Sequence, residues 1–132
     1  MVKFTDAALI EAARQARGRA YAPYSHFKVG AALLSQSGQI FTGCNIENAS
    51  YGLTICAERV AIFKALSEGS QQFSKIAVVT GTDALTPPCG ACRQIIWEFC
   101  GDIPVILANL HGQHQQCWMR TLFPRPFDGR LL

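Results

Sequence analysis

Residues 87–92 read Pro-Pro-Cys-Gly-Ala-Cys, and a third cysteine opens the Cys-Ala-Glu stretch at residues 56–58. The two prolines stop the preceding loop, so Cys89 and Cys92 fall in the first turn of a predicted helix, and Cys56 begins another. The unpaired N–H groups and the positive dipole end of a helix start stabilise a thiolate, the form of cysteine that binds zinc. The spacing therefore predicts three thiolates that converge from two helix starts.

A set of three thiolates favours a catalytic zinc site. A structural site normally has four protein ligands, whereas a catalytic site keeps one position for water. Glu58 lies two residues past Cys56, close enough to meet such a water without being a ligand. Other interpretations are that the three cysteines are ordinary buried side chains or a redox dithiol, and that Glu58 is a surface charge.

The elements predicted outward from these motifs alternate between helices and apolar strands, which implies a mixed sheet covered by helices. We expect a three-layer α/β/α sandwich of the α/β class, with about five strands, in a single catalytic domain over residues 1–132. The helix over 56–68 has apolar residues around most of its circumference, as in a helix buried on more than one side. The predicted elements are a helix over 5–19, a hairpin over 27–35 and 39–44, a loop over 45–55, helices over 56–68 and 89–99, strands over 74–80 and 103–108, a short edge strand near 116–119 and a final turn around 120–123.

Composition narrows the classes of function. The 132 residues carry a net charge of +3 without a long basic run, which argues against a nucleic-acid partner. Residues 1–6 lack the apolar stretch of a secretory signal, and the chain has no membrane-span-length apolar run, so we expect a cytoplasmic protein and no membrane partner. In that compartment six cysteines indicate metal or catalysis before disulfides. Only 16% of the residues are charged, which suggests that apolar surface meets another subunit.

The remaining cysteines and the histidines carry weaker signals. Cys44, Cys100 and Cys117 are expected to pack in the core as small apolar side chains. His111 and His114 have the spacing of a metal-binding pair, but they lie in a predicted polar loop without a third ligand, so we expect them to be solvated.

The motifs together resemble a known family. Residues 56–58 with residues 88–92 (Pro-Cys-Gly-Ala-Cys) resemble the Cys-Ala-Glu and Pro-Cys-x-x-Cys pair of the cytidine deaminase superfamily. Residues 24–33 (Tyr-Ser-His-Phe-Lys-Val-Gly-Ala-Ala-Leu) resemble the opening hairpin of the small cytidine deaminases, and residues 43–54 resemble their nucleoside loop. The likeness runs from about residue 21 to residue 100.

The resemblance implies hydrolytic deamination of cytidine and 2'-deoxycytidine, a step of pyrimidine salvage. It implies one Zn²⁺ per subunit on Cys56, Cys89 and Cys92, which lowers the pKa of a water so that hydroxide exists at neutral pH and attacks C4 of the base. Glu58 would take the proton of the water, give one to ring N3 and later help to protonate the departing ammonia. Small-molecule nucleosides are expected as substrates, because a closely bound 3'-hydroxyl leaves little space for a continuing phosphate.

Further site residues follow from the same resemblance. Asn45 and Glu47 would hold the ribose 3'-hydroxyl, Phe27 would pack against the base, and the backbone of Ala57 would meet the pyrimidine edge. Arg59 would offset the negative charge of three thiolates by hydrogen bonding to sulfur. The local alternatives are a turn former for Asn45, a solvated loop acid for Glu47, plain hairpin core for Phe27 and a helix-surface residue for Arg59.

The tail supplies a last expectation. Residues 122–127 (Leu-Phe-Pro-Arg-Pro-Phe) resemble the family's Leu-Leu-Pro-x-x-Phe ending, in which the last Phe approaches the active site of a neighbouring subunit. This implies a homotetramer with active sites at subunit interfaces, with Phe127 as a substrate contact or interface filler and Tyr51 at the same interface. The rival functions are a deaminase of another base, nucleotide or nucleic acid, and a non-enzymatic zinc-stabilised binding module.

Overall fold

The computed structural model describes residues 4–132. Part of the stretch used to predict the absence of a signal, Met1 to Lys3, lies outside the described residues. The helices are α1 (Asp6–Arg17), α2 (Ala57–Ser67), α3 (Gly90–Cys100) and α4 (Met119–Leu122). The strands are β1 (Val29–Ser35), β2 (Ile40–Cys44), β3 (Phe73–Thr80), β4 (Pro104–Asn109) and β5 (His114–Trp118). Two 3₁₀ turns occupy Tyr51–Leu53 and Gly129–Leu131. None of the helices within this part of the chain has the length and apolarity needed to cross a membrane.

The five strands form one sheet in the order β2-β1-β3-β4-β5. β3 and β4 are parallel, with α3 as the crossover between them, and the other three pairs are antiparallel. The register places Val29 at the start of β1 opposite Thr80 at the end of β3. The predicted mixed sheet of about five strands is therefore confirmed.

Alternating side chains of the central strands fill two separate cores. On one face Leu9 and Ala13 of α1 pack against the sheet, and on the other face the buried residues of α2 and α3 do so. Successive residues Ile76 and Ala77 of β3 belong to opposite cores. The helices thus cover both faces of the sheet, which confirms the three-layer α/β/α sandwich.

Helix α1 begins where the sequence predicts. The Thr5 hydroxyl accepts a hydrogen bond from the backbone N–H of Ala8 at 3.1 Å, the arrangement of an N-cap. The apolar circumference of α2 is only partly buried, because Phe63 on its outer side is 42% exposed. The ring of Phe63 meets the ring of Phe99 on α3 edge to face, with centroids 6.4 Å apart, so the two helices share an exposed aromatic pair.

Most element boundaries differ from the predicted ones by one or two residues, and three differences have a structural consequence. The first strand begins at Val29 and not at Phe27, because the Asn45 side chain binds the backbone of both residues in place of a strand neighbour. The loop before α2 contains a 3₁₀ turn, Tyr51–Leu53. Strand β5 takes in His114, which the sequence placed in a loop, and Met119 belongs to α4.

The other three cysteines and the two histidines of the predicted loop do not belong to the cluster of Cys56, Cys89 and Cys92. Cys100 and Cys117 pack against the core on the α2 and α3 face, and burial raises the pKa of the Cys100 thiol to about 12. Cys44 is half-buried. His111 and His114 are exposed, and the His111 Nε2 lies 3.4 Å from an Asp83 carboxylate oxygen.

Candidate active site

Three sulfur atoms converge beside the sheet. The Sγ atoms of Cys56, Cys89 and Cys92 all lie within 4.8 Å of one another. Cys56 and Cys89 are the N-cap residues of α2 and α3, and Cys92 is buried in the first turn of α3. The Cys56 and Cys89 sulfurs are 3.9 Å apart, and two sulfurs on a tetrahedral zinc ion with Zn–S bonds of about 2.3 Å are about 3.8 Å apart. The donor set therefore fits zinc in both chemistry and spacing.

A glycine in β2 fixes the position of the first turn of α2. A Cβ atom on Gly43 would lie 2.5 Å from the Ala57 carbonyl oxygen and 2.6 Å from the Ala61 nitrogen, closer than real Cβ contacts. Only glycine allows β2 to approach the helix backbone this closely. This close packing holds Cys56 and Glu58, which flank Ala57, at the edge of the sheet.

Negative charge is favoured at Cys56. A hydrogen bond from the Cys92 thiol and one from the Arg59 guanidinium lower the pKa of Cys56 to about 5, so this cysteine is a thiolate at neutral pH. The Arg59 Nη2 lies 3.2 Å from the Cys56 sulfur. The Arg59 Nε is buried and has no hydrogen-bond partner within residues 4–132. An unpaired buried donor beside the sulfur trio favours further negative charge there, as three thiolates would supply.

Glu58 is a buried carboxyl group in the first turn of α2. Its side chain is 4% exposed, and burial together with the charge of Cys56 raises the pKa of Glu58 to about 7. A carboxyl group with a pKa near neutrality can both accept and donate a proton at the same pH, which suits general acid–base chemistry. Its burial also makes the surface-charge interpretation of Glu58 wrong.

A cavity of about 310 Å³ opens beside these groups, at the lower end of the range for small-molecule sites. Its lining brings together residues from the two loops and both helix starts that the sequence singled out. They include Phe27, Asn45, Glu47, Cys56, Ala57 and Glu58. Phe27 is 40% exposed, so it is available to a ligand and is not plain hairpin core.

Asn45 and Glu47 are held by the backbone of the segment before β1. The Asn45 Oδ1 accepts a hydrogen bond from the Val29 N–H and its Nδ2 donates to the Phe27 carbonyl, both at 2.8 Å. The Glu47 carboxylate accepts from the N–H groups of Tyr24 and Ser25, at 3.0 and 3.1 Å, and from the Ser25 hydroxyl. The hydrogen bond from the Ser25 side chain holds the pKa of Glu47 below its ordinary value.

Tyr51 and Phe127 are not among the residues that line this cavity. Tyr51 is 76% exposed and packs edge to face on Tyr24, with ring centroids 6.3 Å apart. Phe127 is 57% exposed, and its carbonyl accepts a hydrogen bond from the Gln94 side chain at 2.7 Å. Tyr51 lines a neighbouring pocket with Ser25, Glu47 and Thr54, which line the cavity as well, whereas Phe127 lines neither. The roles of both rings stay predictions.

The cavity also has lining residues that the sequence analysis did not single out. Thr80 and Thr86 lie on its wall together with Ser25. The position of Thr80 had a signal, since it is the polar residue that ends an apolar strand leading into a loop, but its hydrogen-bond partners had none. Outside the cavity, Arg93 donates hydrogen bonds to the Pro88 carbonyl at 2.8 Å and to the Leu122 carbonyl at 2.6 Å, which fixes the residue before Cys89.

The geometry defines a class of protein, an α/β/α domain with three cysteines placed to hold a metal ion and a buried carboxyl group beside them. Residues 4–108 match the family described as the cytidine and deoxycytidylate deaminase zinc-binding region. The chain belongs to this cytidine deaminase family.

Individual proteins show the same likeness along most of the chain. It is 55% identical over 122 residues to a cytidine deaminase of Halalkalibacterium halodurans, covering 92% of each chain. It is 52% identical over 121 residues to a cytidine deaminase of Sporosarcina psychrophila, covering 91% of this chain and 89% of the other. The crystal structure of a cytidine deaminase from Burkholderia pseudomallei superposes with a TM-score of 0.91 at 50% identity, covering 94% of this chain and 100% of that one.

Proposed function

We propose that this chain catalyses the zinc-dependent hydrolytic deamination of cytidine and 2'-deoxycytidine to uridine and 2'-deoxyuridine, with release of ammonia. The observation that carries the proposal is the buried Glu58 beside three converging sulfurs at the wall of one cavity. Family membership over residues 4–108 and the cytidine deaminase relatives support the same reaction.

Cys56, Cys89 and Cys92 would hold the zinc ion. Zinc bound there would supply a water of lowered pKa at neutral pH. Glu58 accepts the proton of the attacking water, passes a proton to N3 of the pyrimidine and returns one to the amine that leaves from C4. Arg59 lowers the negative charge of the trio through its hydrogen bond to Cys56. Water and cytidine are thereby converted to uridine and ammonia without a further reactant.

The remaining hydrogen-bonding capacity of the loop suits a sugar hydroxyl. Asn45 has one amide N–H beyond the one given to Phe27, and Glu47 has one acceptor site beyond the three that Tyr24 and Ser25 use. A free donor beside a free acceptor matches the two-sided character of the 3'-hydroxyl. Ala57, buried at the cavity wall, would offer its backbone to the pyrimidine edge.

Phe27 would pack its ring on the base, since it lines the cavity while 40% exposed. Phe27 and Ala57 would thus bind the base of a small nucleoside, and Asn45 and Glu47 its sugar. The rival function among enzymes is a deaminase that acts on another base, on a nucleotide or on a nucleic acid.

An absorbance assay tests the reaction. Purified zinc-loaded protein is given cytidine, deoxycytidine, CMP and guanine, and the loss of substrate absorbance is followed with and without a chelator. We expect turnover of the two nucleosides, its loss with the chelator, and a fall in kcat of at least about a hundredfold in Glu58→Gln with zinc still bound. Turnover of CMP or guanine in place of the nucleosides would contradict the substrate class, and zinc binding without any turnover would favour a non-enzymatic module.

We propose that the protein is a homotetramer with active sites at the subunit interfaces. Each subunit would be a single catalytic domain over residues 1–132. Exposed aromatic rings support it, namely Tyr51, Phe127 and the Phe63–Phe99 pair, because large exposed apolar groups mark interfaces. Tyr51 and Phe127 would reach a neighbouring site. Light scattering during size-exclusion chromatography would give four times the mass of 14.4 kDa, and a monomer mass would contradict the proposal.

A cytoplasmic location is part of the same proposal. All six cysteines are free, and a thiolate centre is maintained most readily in a reducing compartment. Fractionation of cells would place deaminase activity with the soluble contents, and activity confined to another fraction would contradict it.

A further inference from the structure

Three threonines beside the cavity form a branched chain of hydroxyl groups. The Thr82 Oγ1 lies 2.8 Å from the Thr80 Oγ1 and 2.9 Å from the Thr86 Oγ1. It also donates to the Ala84 carbonyl oxygen at 2.5 Å. Thr80 is 2% exposed and Thr86 is half-buried, and both line the cavity, whereas Thr82 is not among its lining residues.

The direction of each hydrogen bond follows from a count of protons. A hydroxyl group has one proton and two lone pairs, and a carbonyl oxygen only accepts. The single proton of Thr82 is given to Ala84, so the Thr82 oxygen accepts from both neighbours. Thr80 and Thr86 therefore each donate their proton to Thr82 and keep their lone pairs. Among residues 4–132 no donor reaches either of these two oxygens, so both remain hydrogen-bond acceptors only.

The place of the pair in the fold relates it to the reacting end of a ligand. Thr86 is three residues before Cys89, and Thr80 ends β3 on the side of the sheet that carries Val78, another cavity residue. Glu58 and Cys89 line the same cavity. If the function proposed above is correct, Thr80 and Thr86 place two acceptors near the ring substituent that the reaction exchanges. That substituent is an amino group in the substrate and a carbonyl oxygen in the product.

We propose that Thr80 and Thr86, oriented by Thr82, are specificity-determining residues that favour an amino substituent over a carbonyl oxygen on the reacting carbon. An amino group donates to the two lone-paired oxygens. The carbonyl oxygen of the uridine-type product faces them acceptor to acceptor, which weakens its binding and promotes its release. The cavity thereby distinguishes substrate from product by the direction of hydrogen bonding and not by size.

The test measures the ratio of the inhibition constant of uridine to the KM of cytidine in the zinc-loaded full chain. Thr80→Val and Thr86→Val keep the side-chain shape and remove the acceptor. We expect each to lower the ratio by about five- to tenfold, since cytidine loses one hydrogen bond and uridine loses one repulsion. Thr80→Ser and Thr86→Ser retain the oxygen and are expected to stay within about twofold of the wild type.

Thr82→Val gives an independent arm that does not disturb the cavity lining. It removes the acceptor for both neighbouring protons, so Thr80 and Thr86 become free to donate to a carbonyl oxygen, and the ratio is again expected to fall. Thr121→Val, an exposed threonine of α4, is the matched control and leaves the ratio unchanged.

The outcomes separate the two proposals. A wild-type protein that does not convert cytidine would overturn the function and this inference together. A wild type that converts cytidine, with a ratio unmoved in Thr86→Val and Thr82→Val, would overturn the inference alone, even if the more buried Thr80→Val did not fold. A ratio that falls in the Val variants and is kept in the Ser variants supports it.

Discussion

Asn45→Ala is expected to destabilise the protein because this buried amide substitutes for a strand neighbour. It makes two hydrogen bonds of 2.8 Å, to the Val29 N–H and the Phe27 carbonyl, and alanine can make neither. A hydrogen bond contributes about 1–1.5 kcal/mol. Because the two backbone groups are part-buried, water can replace the lost amide only incompletely, so we expect the free energy of unfolding to fall by about 2–3 kcal/mol.

Urea unfolding at fixed zinc and protein concentrations measures this loss. With a slope of about 2 kcal/mol per molar urea for a domain of this size, the midpoint is expected to fall by about 1–1.5 M. The same change is expected to raise the KM of cytidine, because the Phe27 backbone loses its anchor and its ring loses its position at the cavity.

Asn48→Ala is the matched control in the same loop. The Asn48 Oδ1 accepts one exposed hydrogen bond from the Ser50 N–H at 2.8 Å, so its loss is expected to cost only about 0.5 kcal/mol. If Asn45→Ala destabilised the protein no more than Asn48→Ala while still raising KM, Asn45 would be a sugar ligand alone and the reasoning from its backbone contacts would be refuted.

Three further predictions concern the metal centre and the tail. Arg59→Ala is expected to lower activity and to speed the transfer of zinc to a chromogenic chelator, because the thiolate of Cys56 loses its 3.2 Å partner; equal zinc content and turnover in the variant would remove this role. Removal of zinc by dialysis against a chelator is expected to abolish turnover and to lower Tm, and added Zn²⁺ to restore both; a protein that stays active after complete removal would disprove the metal requirement. Hydrogen bonds from Arg130 and Trp97 hold the pKa of Asp128 below its ordinary value, so its stabilisation is present above that value and is lost as the pH falls. The difference in Tm between the wild type and Asp128→Asn is therefore expected to be full at about pH 6 and to shrink below about pH 4, and a pH-independent difference would contradict it.

Periodicity and motif spacing predicted most of the fold because they report local physics. The Thr5 cap, the glycine that ends α2 and the apolar run of β3 each act over a few residues, and the structure has these elements within two residues of the predicted bounds. The start of β1 was predicted two residues too early for a non-local reason. A side chain sixteen residues away, Asn45, takes the hydrogen bonds that a strand neighbour would have made, and no pattern near Phe27 reveals it.

The site divides in the same way. The convergence of three sulfurs was predictable because Cys56, Cys89 and Cys92 lie at helix starts, which the sequence locates by capping and proline signals. The hydroxyl chain was not, since Thr80 and Thr86 carry no chemistry that a spacing rule would select. Their arrangement depends on the path of the loop over 81–88, where turns and not periodicity decide the conformation.

Sheet topology explains why residues so far apart in the chain meet at one edge. β1 and β3 are antiparallel, so the start of β1 at Val29 lies beside the end of β3 at Thr80. β2 is antiparallel to β1, so its end at Cys44 lies opposite Gly30 and delivers the Asn45 loop to the same edge. The crossover from β3 to the parallel β4 begins there too, which places the start of α3 above the carboxyl end of β3.

The register of the two central strand pairs is therefore part of the active-site geometry. A slip of one residue between β1 and β3 would exchange the two faces of β1, turning Ala31 and Leu33 away from α2 and α3. It would also move Phe27 and Val29, whose backbone Asn45 binds, by about 3.3 Å along the sheet relative to Thr80. Because this slip would disrupt both cores, the same apolar packing that stabilises the sandwich holds Phe27 in place at the cavity beside the sulfur trio.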